Sequence, residues 1–229
     1  MSASETAAPT LRSRPARRLR SALLAVVIVT ASVVLLARGI TVVPDSEVAD
    51  TDLAGNPAFS AKQYVNALWA SKVLPLVQDK ATDIATVLGA IDKNPDAAGK
   101  QYGHRPMAGN GPWNFVVHGD ATIKAAETTL RHATLTVEIG GHDVALQIGP
   151  VIFGTALRDA LPFVSFEQVV NQIQFAQVSR ELNDRATATA RAGLDVAKLV
   201  PGAHIAFAGA MSGGSPLQVT VVQLHLIAP

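Results

Sequence analysis

The chain has 229 residues, 48% of them apolar, a net charge of +1 and no cysteine. That length suits one domain of good size or a small domain with appendages. The missing cysteine excludes disulfides, thiolate metal sites and lipid attachment through an N-terminal cysteine. Residues 1–38 hold Arg12, Arg14, Arg17, Arg18, Arg20 and Arg38 against Glu5, a local +5, so the rest of the chain carries −4. A mildly acidic body has no electrostatic footprint for nucleic acid.

Residues 1–20 are rich in Ala, Ser, Pro and Arg and read as a disordered, basic cytoplasmic tail. Ser21 to Ala37 follow without a charge, roughly 26 Å of helix against a hydrocarbon core of about 30 Å. Continuing to Val43 makes up the difference, with Arg38 snorkelling near the interface. Arginines precede this 21–43 segment, and Asp45, Glu47, Asp50 and Asp52 follow it. The positive-inside bias therefore predicts a single-pass anchor in the inner (cytoplasmic) membrane, with the body on the extracytoplasmic side. A cleaved signal peptide ending near Ala37-Arg38-Gly39 competes with that reading and also exports the body.

An acidic linker, 44–58, leads to a helical segment, 59–102. Ser60 is placed to cap a helix reaching Lys72, with Tyr64, Val65, Leu68 and Trp69 on one side. Pro75 suits the first turn of a second helix from Leu74 to Asp92, whose stripe is Leu76, Ile84, Val87, Leu88 and Ile91. Asn94-Pro95-Asp96 ends it. Gly103 to Trp113 read as a Gly/Pro-rich loop opening the 103–229 domain, where the apolar period changes from 3.6 to 2.

Phe115, Val117, Gly119, Ala121, Ile123 and Ala125 alternate along a long first strand, bent at Gly119. Leu135, Val137 and Ile139 line the second strand, Gly140-Gly141 is a hairpin turn, and Val144, Leu146 and Ile148 line the third. A helix from about Ser165 to Asn183 follows, with Phe166, Val169, Ile173 and Ala176 as its core stripe. The polar stretch after it leads to a fourth strand (Ile205, Phe207), a GAMSGG hairpin loop and a fifth strand (Leu217 to Leu226). The apolar phase shift within the fifth strand reads as a bulge. The fold expected is α+β: an N-terminal transmembrane helix, a helical hairpin, then a five-stranded OB-like antiparallel barrel with a helix between strands 3 and 4. An open sheet with the helix on one face is the other arrangement.

Four segments together resemble an uncharacterised bacterial family of predicted periplasmic lipoproteins, DUF2291-like. They are Trp69 with Leu74-Pro75, the QIGPVIFGTALRD run from Gln147 to Asp159, Phe166 with Asn171-Gln172, and Glu181 to Asn183. The resemblance covers the body from about Val43 onwards. It implies an extracytoplasmic OB-like protein, often encoded beside sugar ABC-transporter genes, with no established activity. The chain departs from the lipoprotein pattern in lacking cysteine, which leaves the apolar segment as its anchor.

The polar chemistry concentrates between Leu146 and Asn183. The fork of Arg158, beside Asp159, can grip a carboxylate, a phosphate or a sugar hydroxyl pair, or can pair locally and pin the turn. Gln168, Asn171 and Gln172 fall at i, i+3 and i+4, and with Asn183 they are the remaining candidate contacts for a ligand or partner. Gly149, Pro150 and Gly154 read as structural turn residues. The six histidines are scattered, with no HxH or HExxH spacing, and no Ser stands in a G-x-S-x-G elbow; no metal, cofactor or catalytic set is predicted. A binding or accessory module, with ABC transporter subunits as possible partners, is the favoured function. A ligand-free structural envelope protein is the second reading. An envelope-carbohydrate enzyme using Asp159 with Glu167 or Glu181 is the third.

Overall fold

In the computed structural model, residues 59–106, 111–169 and 171–227 are described; the predicted tail, anchor and linker lie outside them. Among the described residues no helix is long and apolar enough to cross a membrane.

Ser60 caps the first helix as its position predicts, its hydroxyl accepting the Gln63 N–H at 3.3 Å. The chain does not break at Pro75. Helix α1 (Ala61–Leu68) widens into a π-turn (Trp69–Val73) and runs on as α2 (Leu74–Asp79). Pro75 has no N–H to give, and the wide turn immediately before it takes up the missing bond. The true break lies inside the helix expected from Leu74 to Asp92. Thr82–Asp83 (β1) pairs with the sheet in parallel, and Asp83 then caps α3 (Ile84–Lys93) by accepting the Thr86 N–H and hydroxyl, both at 2.8 Å. The Thr86 N–H chiefly holds the Asp83 carboxyl below its ordinary range. Asn94 caps α4 (Pro95–Tyr102) in the same way. Gly103–His104 (β2), expected as loop, pairs with the long strand that follows.

That strand, β3 (Asn114–Glu127), is joined by β4 (Thr134–Ile139), β5 (His142–Gln147), β6 (His204–Ser212) and β7 (Gln218–Leu226). β3 bonds to β4 on one side and to β6 on the other, and the order β3-β4-β5-β7-β6 returns to β3. Four of these five pairings are antiparallel, as expected. The β5–β7 pairing is parallel, because the chain crosses over between Gln147 and Gln218 instead of returning by a hairpin.

The hairpin at Gly140-Gly141 has both residues at positive φ, +60° and +82°, as a primed turn requires. The bulge expected in the last strand is present. Ala208 faces Gln223 and Gly209 faces Val221, which leaves Val222 as the extra residue. A second irregularity, between Ile123 and Ala125 of β3, ends the alternation, so Ala125 is exposed instead of inward. Gly119 is also a matter of space: a Cβ there would stand 2.7 Å from Ile84 Cγ2. Gly209 to Ser212, expected in a loop, lie in β6, where Gly209 admits the Thr220 carbonyl.

Two apolar clusters follow from these phases. The first joins Phe115, Val117, Leu135, Val137, Val144, Leu146, Ile205, Phe207, Val219 and Val221 with Ile84, Val87 and Leu88 of α3. The second lies on the other face of β6 and β7, where Ala208, Ala210 and Val222 meet Val65, Trp69 and Val73, the chain around Leu157, and Val178, Leu182 and Ala186. β6 is thus buried on both faces. The bulge at Val222 turns that side chain to the second cluster and returns Leu224 to the first.

The helix after β5 also differs from expectation. A short α5 (Ala156–Ala160) lies within GTALRD, Phe166–Gln168 form a 3-10 turn, and α6 runs from Gln172 to Arg191. Its buried stripe is Val178, Leu182 and Ala186, whereas Phe166 and Ile173 are exposed, Ile173 by 72%. The expected stripe begins before α6 does, with Phe166 and Val169 outside the helix, and the polar tail after Asn183 is helical because Ala186 and Ala190 pack inward.

Candidate functional site

β5 delivers Gln147 and Gly149 to the end of the sheet. Gly149 lies so close to the β3–β4 turn that a Cβ would meet the Ala133 nitrogen at 2.2 Å and the Arg131 carbonyl at 2.6 Å. Its own N–H donates to Ala133 O and the Val151 N–H to Arg131 O, both at 2.9 Å. The requirement at Gly149 is close approach. At Gly154 it is conformation: φ is +99° with open space around the Cβ position. Pro150 lies exposed between Gly149 and the turn.

The loop between these glycines is held from both sides. Gln147, 6% exposed, accepts the Phe153 N–H at 2.9 Å and donates to the Phe153 carbonyl at 3.2 Å. A buried amide thereby fixes the backbone of an aromatic residue that is itself 62% exposed. From the other side, three residues one turn apart on α6 reach the same loop. Thr187 Oγ1 donates to Gly149 O at 2.9 Å, Asn183 Nδ2 to Gly154 O at 3.1 Å and Ser179 Oγ to Gly154 O at 3.5 Å. Asn183 was among the predicted contacts. Ser179 and Thr187 were missed, although the spacing of Ser, Asn and Thr at i, i+4 and i+8 beside Val178, Leu182 and Ala186 is the signature of a polar seam on a buried face.

Between loop and helix lies a cleft of about 560 Å³, within the roughly 300–1,000 Å³ usual for small-molecule sites. Phe153, Thr155 and Ser179 form part of its wall, and Arg131, Arg180, Asn183 and Asp184 supply its polar groups.

Arg158 and Asp159 are not in that wall; they are engaged with each other. Arg158 Nε and Nη2 both reach Asp159 Oδ1 at 2.7 Å, with side chains 11% and 12% exposed. Arg158 Nη1 donates to the Phe175 carbonyl at 3.2 Å, and its guanidinium lies 3.8 Å from the centre of the Phe175 ring. The second Asp159 oxygen accepts the Thr155 hydroxyl at 2.6 Å, and the Asp159 carbonyl accepts His104 Nδ1–H at 2.8 Å. Fork, stack and carbonyl bond together join α5 to the start of α6 and to β2.

The predicted amide face does not form. Gln168 sits in the 3-10 turn, where its Oε1 accepts the Ser165 N–H at 3.1 Å and the Tyr64 hydroxyl. Burial raises the Tyr64 pKa. Asn171 is the N-cap of α6, accepting the Gln174 N–H at 2.9 Å, and Gln172 opens the helix, exposed. These residues set where α6 begins. Glu167 and Glu181, the partners an Asp159 carboxylate pair would need, do not line the cleft. Among the described residues no cluster of His, Asp or Glu is placed to hold a metal ion.

The crystal structure of an OB-fold protein from Thermotoga maritima is similar, with a TM-score of 0.58 at 17% identity over 74% of this chain and 99% of that one. At that identity the likeness concerns the fold, and it agrees with the mixed α+β architecture. No curated protein matches the sequence. The family description "Predicted periplasmic lipoprotein (DUF2291)" matches residues 30–225, so the chain belongs to that family, for which an extracytoplasmic location is expected.

Proposed function

We propose that the protein is a membrane-held, extracytoplasmic binding or accessory module that engages its partner or ligand at the loop 150–155 and α6. The observation that carries this reading is the Gln147 clamp. Burying an amide to fix the exposed Phe153 backbone does little for the core, and it presents a rigid aromatic edge beside a cleft of ligand size. The closed circuit β3-β4-β5-β7-β6 supports reading the sheet as an OB-type barrel, whose loops commonly carry binding. Anchorage by the apolar 21–43 segment is favoured by the arginines before it, the acidic residues after it and the absence of cysteine for a lipid. Association with a sugar ABC transport system rests on the family resemblance alone.

The test is photo-crosslinking in native membranes with a benzophenone residue replacing Phe153. Discrete adducts with transporter subunits, lost when the probe is moved to the far side at Glu138, support the accessory role. Absence of any adduct, or a body inaccessible to protease added outside the membrane, overturns it.

A further inference from the structure

Arg131 comes to the cleft from the β3–β4 turn, and Arg180 and Asp184 come from successive turns of α6. Neither guanidinium has an ion pair or side-chain hydrogen bond among the described residues, and Asp184 does not pair with Arg180 one turn before it. Asn183, 6% exposed, is committed through Nδ2 to Gly154, and its buried Oδ1 has no donor. The cleft therefore holds two unpaired cations, one unpaired carboxylate and one unmet buried acceptor. The guanidinium forks match a planar or tetrahedral oxyanion. The two acceptors match O–H or N–H donors. A neutral ligand would leave both arginines unanswered, a bare anion would leave both acceptors unanswered, and a polyanion would meet Asp184.

We infer that this cleft binds a small polyhydroxylated ligand carrying one anionic group, of the sugar-acid or sugar-phosphate kind. Arg131 and Arg180 hold the anion, and Asp184 and Asn183 accept hydroxyls. The inference rests on the cleft being a binding site, as proposed above, and adds the chemical class of its ligand.

The test is calorimetric titration of the full-length protein in detergent with glucuronate, glucose 6-phosphate, glucose and inorganic phosphate. Glucuronate or glucose 6-phosphate should bind measurably while glucose and phosphate do not, and the better of the first two identifies the anion. Arg131→Gln and Arg180→Gln alter exposed side chains, so both variants should fold, and each should weaken binding by about tenfold or more. Response to neither anionic sugar, equal response to glucose or to phosphate alone, or unchanged affinity in both variants overturns the assignment. Adducts at position 153 without anionic-sugar binding reject the ligand class and leave the binding role standing. Loss of both rejects the two together.

Discussion

Arg158→Ala separates a pinning role from a contact role. The substitution removes two bonds to Asp159 Oδ1 at 2.7 Å, one to the Phe175 carbonyl at 3.2 Å and a stacked guanidinium 3.8 Å from the Phe175 ring. Asp159 then keeps only its Thr155 hydroxyl partner while its side chain stays 12% exposed. Breaking a buried pair by removing one member costs about 3–5 kcal/mol. The retained Thr155 bond and some solvent access place this case at roughly 3–4 kcal/mol. For a chain of this size that is a fall in Tm of about 6–16 °C. Arg158→Met combined with Asp159→Asn should cost less than the two single changes added, because both act on one interaction. Circular-dichroism melts of the full-length protein read the Tm of Arg158→Ala, of the two single changes and of the double variant. A Tm shift below about 2 °C for Arg158→Ala, or strict additivity of the double variant, refutes the account. Adducts lost at position 153 without a stability change would instead make Arg158 a contact.

Gly149→Ala places a Cβ 2.2 Å from backbone with no room to yield, and should cost at least about 3 kcal/mol in urea unfolding. Gly154→Ala meets no atom and should cost only about 1–3 kcal/mol through its positive φ. Asp83→Ala removes the α3 cap for about 1 kcal/mol. Because the folded Asp83 pKa is lowered, that contribution is fully present above the ordinary unfolded carboxylate value and fades as pH falls through the folded value. The gap between wild type and variant should therefore hold at neutral pH and close in acid. Val222→Ala empties a fully buried position in the second cluster and should cost about 2 kcal/mol, with the bulge retained.

The strands were legible because a half-buried strand writes its faces as alternation, and Leu135, Val137, Ile139 and Val144, Leu146, Ile148 keep strict phase. The bulge could be read for the same reason: Val222 breaks the phase and Leu224 resumes it. Helix limits were legible only in part. Ser60 and Asn94 act as the caps their residue types suggest, but Asp83 capped where a helix was expected to continue, since pairing of Thr82–Asp83 with β3 is a tertiary event. Asn171 fixed the phase of α6 and left Ile173, expected within the core stripe, exposed. The parallel β5–β7 pairing was invisible for a related reason: period 2 reports which face a residue takes and nothing about which strand lies beside it.

The site follows an opposite logic. Arg158 and Asp159 stand out in the sequence because they interrupt an apolar run, but a charge is tolerated at 11% exposure only if a partner comes with it. Their adjacency supplied that partner, so the feature that drew attention also consumed the chemistry. Arg131, Arg180 and Asp184 sit in ordinary polar stretches, where water solvates each of them when the cleft is empty. A side chain can remain unpaired, and so available to a ligand, only in such surroundings. They come together because Gly149 draws the 131–133 backbone against the end of β5, and Ser179, Asn183 and Thr187 hold α6 to the same loop. What the chain marks locally is the frame, and the groups that frame leaves unpaired are separated in sequence by the very segments that build it.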